Sequence, residues 1–141
     1  MDVKKFYNLD INKTIEFVQT ETVFNGGNTY NKKSEKRISA IVPVHMWGNA
    51  VWMEDLVPLC LERNIAVVED AYESLGSFYN EEKYKGRHTG TTGQLGCLSF
   101  NGSKIITTGG GMILTDDESI AEKALYLTTQ VKDDPVRYSP P

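Results

Sequence analysis

Two residues of opposite charge stand where apolar runs end. Asp70 follows Glu69 at the close of Ile65-Ala66-Val67-Val68, and Lys104 follows Leu95 to Phe100 across the polar turn Asn101-Gly102-Ser103. Gly109-Gly110-Gly111 then lead into a third run, Met112-Ile113-Leu114. Short apolar runs bounded by polar or glycine-rich turns read as strands of a buried sheet. Open α/β sheets bind their ligands beyond the carboxyl ends of such strands. An acid and an amine at two of these ends can face one small molecule.

The chemistry that calls for this pair is that of pyridoxal phosphate. A lysine amine forms a Schiff base with the cofactor aldehyde, and a carboxylate keeps the pyridine nitrogen protonated so that the ring accepts electrons. Neither residue is diagnostic alone. An aspartate after a strand more often caps a helix, and a lysine is most often solvated. The glycine run permits positive φ and close backbone approach. It lacks the GK[ST] spacing of a P-loop, so by itself it is weak evidence for a phosphate site.

Taken together, VVEDAYESLGS (67–77), GRHTGTTG (86–93) and SFNGSKIITTGGG (99–111) resemble the DegT/DnrJ/EryC1/StrS type of pyridoxal phosphate-dependent sugar-nucleotide aminotransferases. The flanking VPVHMWGNA, TDDESIAEKALYLTTQ and KDDPVRY extend the resemblance over nearly the whole chain. They resemble most the branch that aminates C4 of UDP-linked 4-keto-6-deoxy sugars on the way to legionaminic-type sialic acids. The resemblance implies Lys104 as the Schiff-base lysine and Asp70 as the pyridinium partner. It implies Glu73, three residues past the aspartate, beside the cofactor's O3′ and ring. It implies Ser99, five residues before the lysine, on the phosphate. Where the family carries a small residue after Asp70-Ala71, this chain has Tyr72. The family's dehydratase branch replaces the lysine with histidine, so Lys104 argues for amino transfer.

The fold so implied is α/β, a three-layer α/β/α arrangement with a partial mixed sheet, as in the large domain of the fold type I pyridoxal phosphate transferases. The activity implied is amino transfer, with glutamate as donor, to a keto sugar nucleotide in bacterial surface-polysaccharide or sialic-acid-like sugar biosynthesis. A cytoplasmic homodimer is implied as well. Members of the family are several hundred residues long. Residues 1–141 are therefore expected to be an internal piece of one large domain, with 130–141 an irregular tail. The upstream phosphate-binding turn and the aromatic that stacks on the ring are expected to be missing. A piece without turnover of its own is the alternative.

Composition narrows the alternatives. The chain has 141 residues, of which 40% are hydrophobic and 24% charged, an ordinary globular balance for one domain. The net charge of −4 and the absence of a basic block give no electrostatic case for nucleic acid or an anionic membrane. The N-terminus lacks the apolar core of a signal peptide, and no run has the length of a membrane span. No metal site enters this reading. Cys60 and Cys97 lie in apolar runs and are expected to be free, buried thiols.

The positioning elements follow from periodicity and punctuation. Ile11, Ile15 and Val18 share one face of a helix over 10–20 that Asp10 can cap. Residues 21–36 read as a polar loop with short extended pieces. Ile38 to Val44 is a strand with Pro43 near its end, and His45 follows it, placed equally well for the cofactor or for a hydrogen bond within a loop. Met53 to Arg63 is an amphipathic helix, although Pro58 is tolerated only in a first turn, which favours a later start with Asp55 as cap. Ile65 to Val68 completes a parallel βαβ unit. Tyr72 to Leu75 is a short helical turn, and 77–94 a solvated hairpin carrying Arg87 and His88. Gln94 to Phe100 and Gly111 to Thr115 are strands whose tight connection excludes a parallel crossover. Ile120, Ala124 and Leu127 share a face of a last helix over 116–129.

Overall fold

The computed structural model describes residues 7–80 and 82–128. The tail expected over 130–141 lies outside the described residues. Helix α1, Ile11–Thr20, starts at Asp10, whose carboxylate accepts from the Lys13 N–H at 3.3 Å. Ile11, Thr14 and Val18 are buried, and Ile15 packs beside them. The stretch expected as a polar loop with short extended pieces is a hairpin. Strands β1, Thr22–Asn25, and β2, Asn28–Asn31, pair antiparallel across Gly26-Gly27. Both glycines have positive φ, +55° and +76°, as a two-residue turn with the twist of a hairpin demands. Its strands were hard to read because they are polar, with only Thr22 and Thr29 buried.

The main sheet has the order β3-β4-β5-β6, with β3 at Ala40–Ile41, β4 at Ala66–Asp70, β5 at Leu95–Ser99 and β6 at Gly111–Leu114. β4 pairs parallel with both β3 and β5, and β6 runs antiparallel to β5, as its short connection requires. β3 is shorter than the apolar run that contains it. Its ladder breaks before Pro43, which has no N–H to give, and resumes at Val44 opposite Asp70.

Helix α2 spans Leu56–Glu62 rather than starting near Met53. Pro58 thus falls in the first turn, where a missing N–H costs least. Asp55 stands at the cap position, but its carboxylate takes the Trp52 indole N–H at 3.0 Å and bonds no helix amide. Val51 and Met53 are buried in the extended segment before the helix. With Ile11, Val18, Ile41, Leu56, Cys60, Ile65 and Val67 they form the core between α1, α2 and the β3-β4 edge. Helix α2 therefore crosses over between two parallel strands, the βαβ unit expected. Cys60 and Cys97 are free, and burial pushes the Cys60 thiol up to about 11.

Two further expectations need correction. Tyr72 to Leu75 forms no helix but a turn closed by the Ser74 N–H on the Ala71 carbonyl at 3.1 Å. Helix α3 spans Glu118–Thr128 with Asp117 as its cap, accepting from the Ser119 and Ile120 amides at 2.9 and 3.1 Å. Ile120 and Ala124 are half-buried, whereas Leu127 is 51% exposed, so the apolar face of α3 is only partly covered. A mixed sheet with helices packed along it is the α/β architecture expected of a fold type I large domain.

Candidate active site

The carboxyl ends of the parallel strands converge at one rim of the sheet. Beyond β3 the chain passes Val44 and His45 into a 3-10 turn, Met46–Gly48, that presents Trp47. β4 ends on Asp70, and the turn after it presents Tyr72 and Glu73. β5 ends on Ser99, and the turn after it presents Lys104. The Lys104 N–H closes this turn on the Asn101 carbonyl at 2.9 Å. The glycine run then reverses the chain: Gly109 and Gly110 have φ of +79° and +78°, and the Gly109 N–H returns to the Phe100 carbonyl at 2.8 Å. A Cβ on Gly111 would meet the Leu98 carbonyl oxygen at 2.7 Å. The glycines thus shape the lysine's turn and the β5-β6 crossing.

Trp47, Tyr72, Glu73, Ser99, Lys104 and Ile105 line a cavity of about 310 Å³. The Lys104 side chain is 13% exposed and that of Glu73 25%, with Nζ 3.3 Å from Glu73 Oε1. The other Glu73 oxygen accepts the Trp47 N–H at 3.3 Å. One carboxylate therefore bridges the amine and a backbone amide. Trp47 has φ +50° and ψ +35°, left-handed backbone that is unusual for a bulky residue and concentrated at functional sites. Its side chain stays 63% exposed at the cavity rim.

Lys104, Glu73 and Ser99 thus come together as expected. Asp70 sits at the same sheet end but does not line the cavity. Its carboxylate accepts the Tyr72 N–H at 3.3 Å, and it stands opposite Cys97 in the ladder. Burial, then the Asp70 charge, pushes the Cys97 thiol up. Tyr72 and Trp47 were not among the expected site residues. The unusual Tyr72 after Asp70-Ala71 was the available signal for one. For the other it was an aromatic directly before Gly48, just past a strand.

Beneath the rim lies a second cluster that the sequence did not disclose. Glu69 and His45 are fully buried, with His45 Nε2 2.9 Å from Glu69 Oε2. His45 Nδ1 accepts the Val51 N–H at 3.0 Å, so the ring proton stands on Nε2 and is donated to Glu69. Glu69 also accepts the amides of Gly90, Thr92 and Gly93 at 2.8, 2.5 and 2.5 Å. Burial alone would push this carboxyl up. The His45 ring and the three amides outweigh burial and hold it below the usual range. His45 therefore serves a hydrogen-bond network inside the fold. The segment 86–93, expected as part of a solvated hairpin, is tied into the core through the backbone of 90–93. His88 accepts the Gly76 N–H at 2.7 Å, and Arg87 lies 3.8 Å from Asp116 at the surface.

A shielded amine opening on a cavity, a carboxylate beside it, a serine hydroxyl at the end of β5 and a second carboxylate at the end of β4 match in kind the donors that pyridoxal phosphate needs. No helix among the described residues is long and apolar enough to cross a membrane. Similar proteins agree with this chemistry. The chain is 40% identical over 100 residues to a GDP-perosamine synthase of Escherichia coli O157:H7, covering 70% of this chain and 26% of that one. The structure of a DegT DnrJ EryC1 StrS aminotransferase from Brucella abortus superposes on 99% of this chain and 35% of its own, with a TM-score of 0.77 and 20% identity. The E. coli GDP-4-keto-6-deoxy-D-mannose-3-dehydratase, solved with bound hydrated pyridoxal phosphate, matches 92% of this chain and 28% of its own with a TM-score of 0.66 and 26% identity. The chain spans about a quarter of the length of the curated relatives it matches, 24% and 26% for two of them. The model of the DegT/DnrJ/EryC1/StrS aminotransferase family matches residues 4–138, and the chain belongs to that family.

Proposed function

We propose that the whole protein is a pyridoxal phosphate-dependent aminotransferase that moves an amino group from an amino acid, glutamate, to the keto carbon of a nucleotide-linked 4-keto-6-deoxy sugar. The observation that carries this reading is the Lys104 amine, shielded from solvent yet facing a cavity between Glu73 and Ser99 at the carboxyl end of a sheet of this family. Likeness to a perosamine synthase supports a sugar-nucleotide substrate. A lysine at position 104, where the dehydratase branch has histidine, favours amino transfer. Amination at C4 of a UDP-linked sugar of the legionaminic type, a cytoplasmic setting and a homodimer complete the reading.

Bound pyridoxal phosphate supplies an aldehyde that captures amines and a ring that accepts electrons. Lys104 Nζ would hold the cofactor and, when free of it, would move a proton. Asp70 would hold the proton on the ring nitrogen, Ser99 Oγ would donate to the phosphate, and Glu73, whose position is fixed by its bond to the Trp47 amide, would orient the ring.

The test is chemical. Incubating the protein with pyridoxal phosphate, reducing with borohydride and mapping peptides by mass spectrometry is expected to place the label on Lys104. Label on Lys83, Lys85 or Lys123 in its place overturns the assignment.

A further inference from the structure

Within the cavity the Lys104 amine is covered on one side. The Tyr72 ring stands over it, with its centroid 4.2 Å from Nζ, well within the range of a cation–π contact. The far end of that ring is propped as well, because the Tyr72 hydroxyl reaches Met46 Sδ at 3.8 Å. Met46 is itself fixed: its N–H donates to Asn8 Oδ1 at 3.2 Å and its carbonyl accepts the Asn49 N–H at 2.9 Å. At the near end the Tyr72 N–H is held by the Asp70 carboxylate. Desolvation first, then the charges of Glu73 and Asp70, push the Tyr72 phenol up.

The consequence is steric. Asp70 lines no part of the cavity, whereas Tyr72, two residues on, does. A planar ligand that is to touch the Lys104 amine and the Asp70 carboxylate together meets the Tyr72 ring on the way. Glu73 meets the amine through one oxygen at 3.3 Å, and Ile105, also on the cavity, is 81% exposed.

We propose that Tyr72 is a gate on Lys104, its ring covering the amine and swinging away before an aromatic aldehyde can bond Nζ. The inference rests on the reading that Lys104 carries pyridoxal phosphate. In the gated step the neutral amine condenses with the aldehyde carbon. A C=N bond forms, and the carbonyl oxygen leaves as water with the two amine protons. Tyr72 takes no part in that bond change. It is a positioning residue that sets how often the amine is uncovered.

The experiment measures cofactor uptake. The cofactor-free whole protein is mixed with pyridoxal phosphate in a stopped-flow spectrometer, as wild type, Tyr72→Ala and Tyr72→Phe, and the absorbance change gives the rate of attachment. Borohydride trapping identifies the lysine in each form. Loss of the ring contact is expected to speed uptake in Tyr72→Ala by roughly two- to thirty-fold, the range that such a contact is worth, while Tyr72→Phe, which keeps the ring, stays within about twofold of wild type. An independent readout needs no variant. The Lys104 side-chain methylenes in wild type are expected to resonate upfield under the Tyr72 ring and to lose that shift when the cofactor saturates the site. Uptake in Tyr72→Ala at or below the wild-type rate, with Lys104 labelled, overturns the gate and leaves the reading of Lys104 intact. Methylene resonances without an upfield shift also overturn it, and they decide the matter where Tyr72→Ala does not fold. Absence of label on Lys104 in every form overturns both the gate and the reading beneath it.

Discussion

Asp70 owes its place to the backbone. Its N–H donates to the Pro43 carbonyl at 2.9 Å, its carbonyl accepts the His45 N–H at 2.9 Å, and the next amide, Ala71, donates to Cys97 at 2.9 Å. Removing the side chain leaves these bonds in place, so Asp70→Ala is expected to fold. In the whole protein this variant should still take the borohydride label on Lys104. Its turnover should fall by about 10²–10⁴-fold, the usual worth of a positioned proton-holding group. Near-normal turnover with normal labelling would remove Asp70 from its role. The candidate positions Asp70, Glu73, Ser99 and Lys104 follow from the resemblance of their motifs to the family, and the structure puts Glu73, Ser99 and Lys104 on one cavity and Asp70 at the same sheet end. Trp47 and Tyr72 were not singled out as site residues, because long-range contacts are what bring them to the cavity. The carboxylate that fixes the left-handed Trp47 amide lies 26 positions away, and Lys104 lies under a ring that only tertiary packing brings there.

At the scale of the element, β4 carries two adjacent carboxylates with opposite fates. Burial alternates along the strand, so Val67 and Glu69 turn inward while Val68 and Asp70 are half-buried. Glu69 ties β4 to His45 on one side and to the 90–93 backbone on the other. Both segments border the site: His45 precedes the turn that bears Trp47, and the Gly93 backbone leads into β5, which ends on Ser99. Because the folded carboxyl titrates below its usual value, Glu69 contributes stability above the unfolded value of about 4.3, and that contribution disappears as pH falls through the lower folded value. Glu69→Gln is expected to cost about 3 kcal/mol at pH 7, since an amide cannot satisfy the same set of donors. The gap from wild type should narrow as pH drops below about 4. Urea melts at pH 7 and pH 3.5 measure both quantities, and a gap independent of pH would contradict an ionised Glu69. The sequence placed β4 correctly from its apolar run but gave no sign of this network. A glutamate beside an aspartate after a strand reads as solvent-facing until the partner amides are known. The β1-β2 hairpin was hidden by its polarity, whereas α1 and the late start of α2 were legible from a cap, a period of 3.6 and the constraint that Pro58 imposes.

At the scale of the molecule, the described residues build the candidate site from one side. The sheet's carboxyl rim carries Asp70 at the end of β4 and puts Glu73, Ser99 and Lys104 on the cavity. Trp47 and Ile105, the apolar residues at its mouth, are largely exposed, as are Met112 and Ile113 on β6 and Leu125 on α3. The relatives this chain matches are about four times as long, and we propose that further chain covers these surfaces in the whole protein. A covalent bond to Lys104 and a few hydrogen bonds are enough to capture the cofactor, but they leave it free to pivot. Directed proton transfer needs the ring, the donor and the sugar held together, and positioning of that kind accounts for about 7–11 kcal/mol of a barrier. The 141-residue chain expressed by itself is therefore expected to take up pyridoxal phosphate slowly on Lys104 and to transaminate several orders of magnitude more slowly than a full-length relative. The assay is glutamate-dependent amination of a UDP-linked 4-keto-6-deoxy sugar, followed by chromatography of the amino sugar nucleotide. Turnover comparable to that of a full-length relative would mean that this one face of the sheet fixes all three reactants. The exposed rim of Trp47 and Ile105 would then be a finished wall of the site rather than an open side.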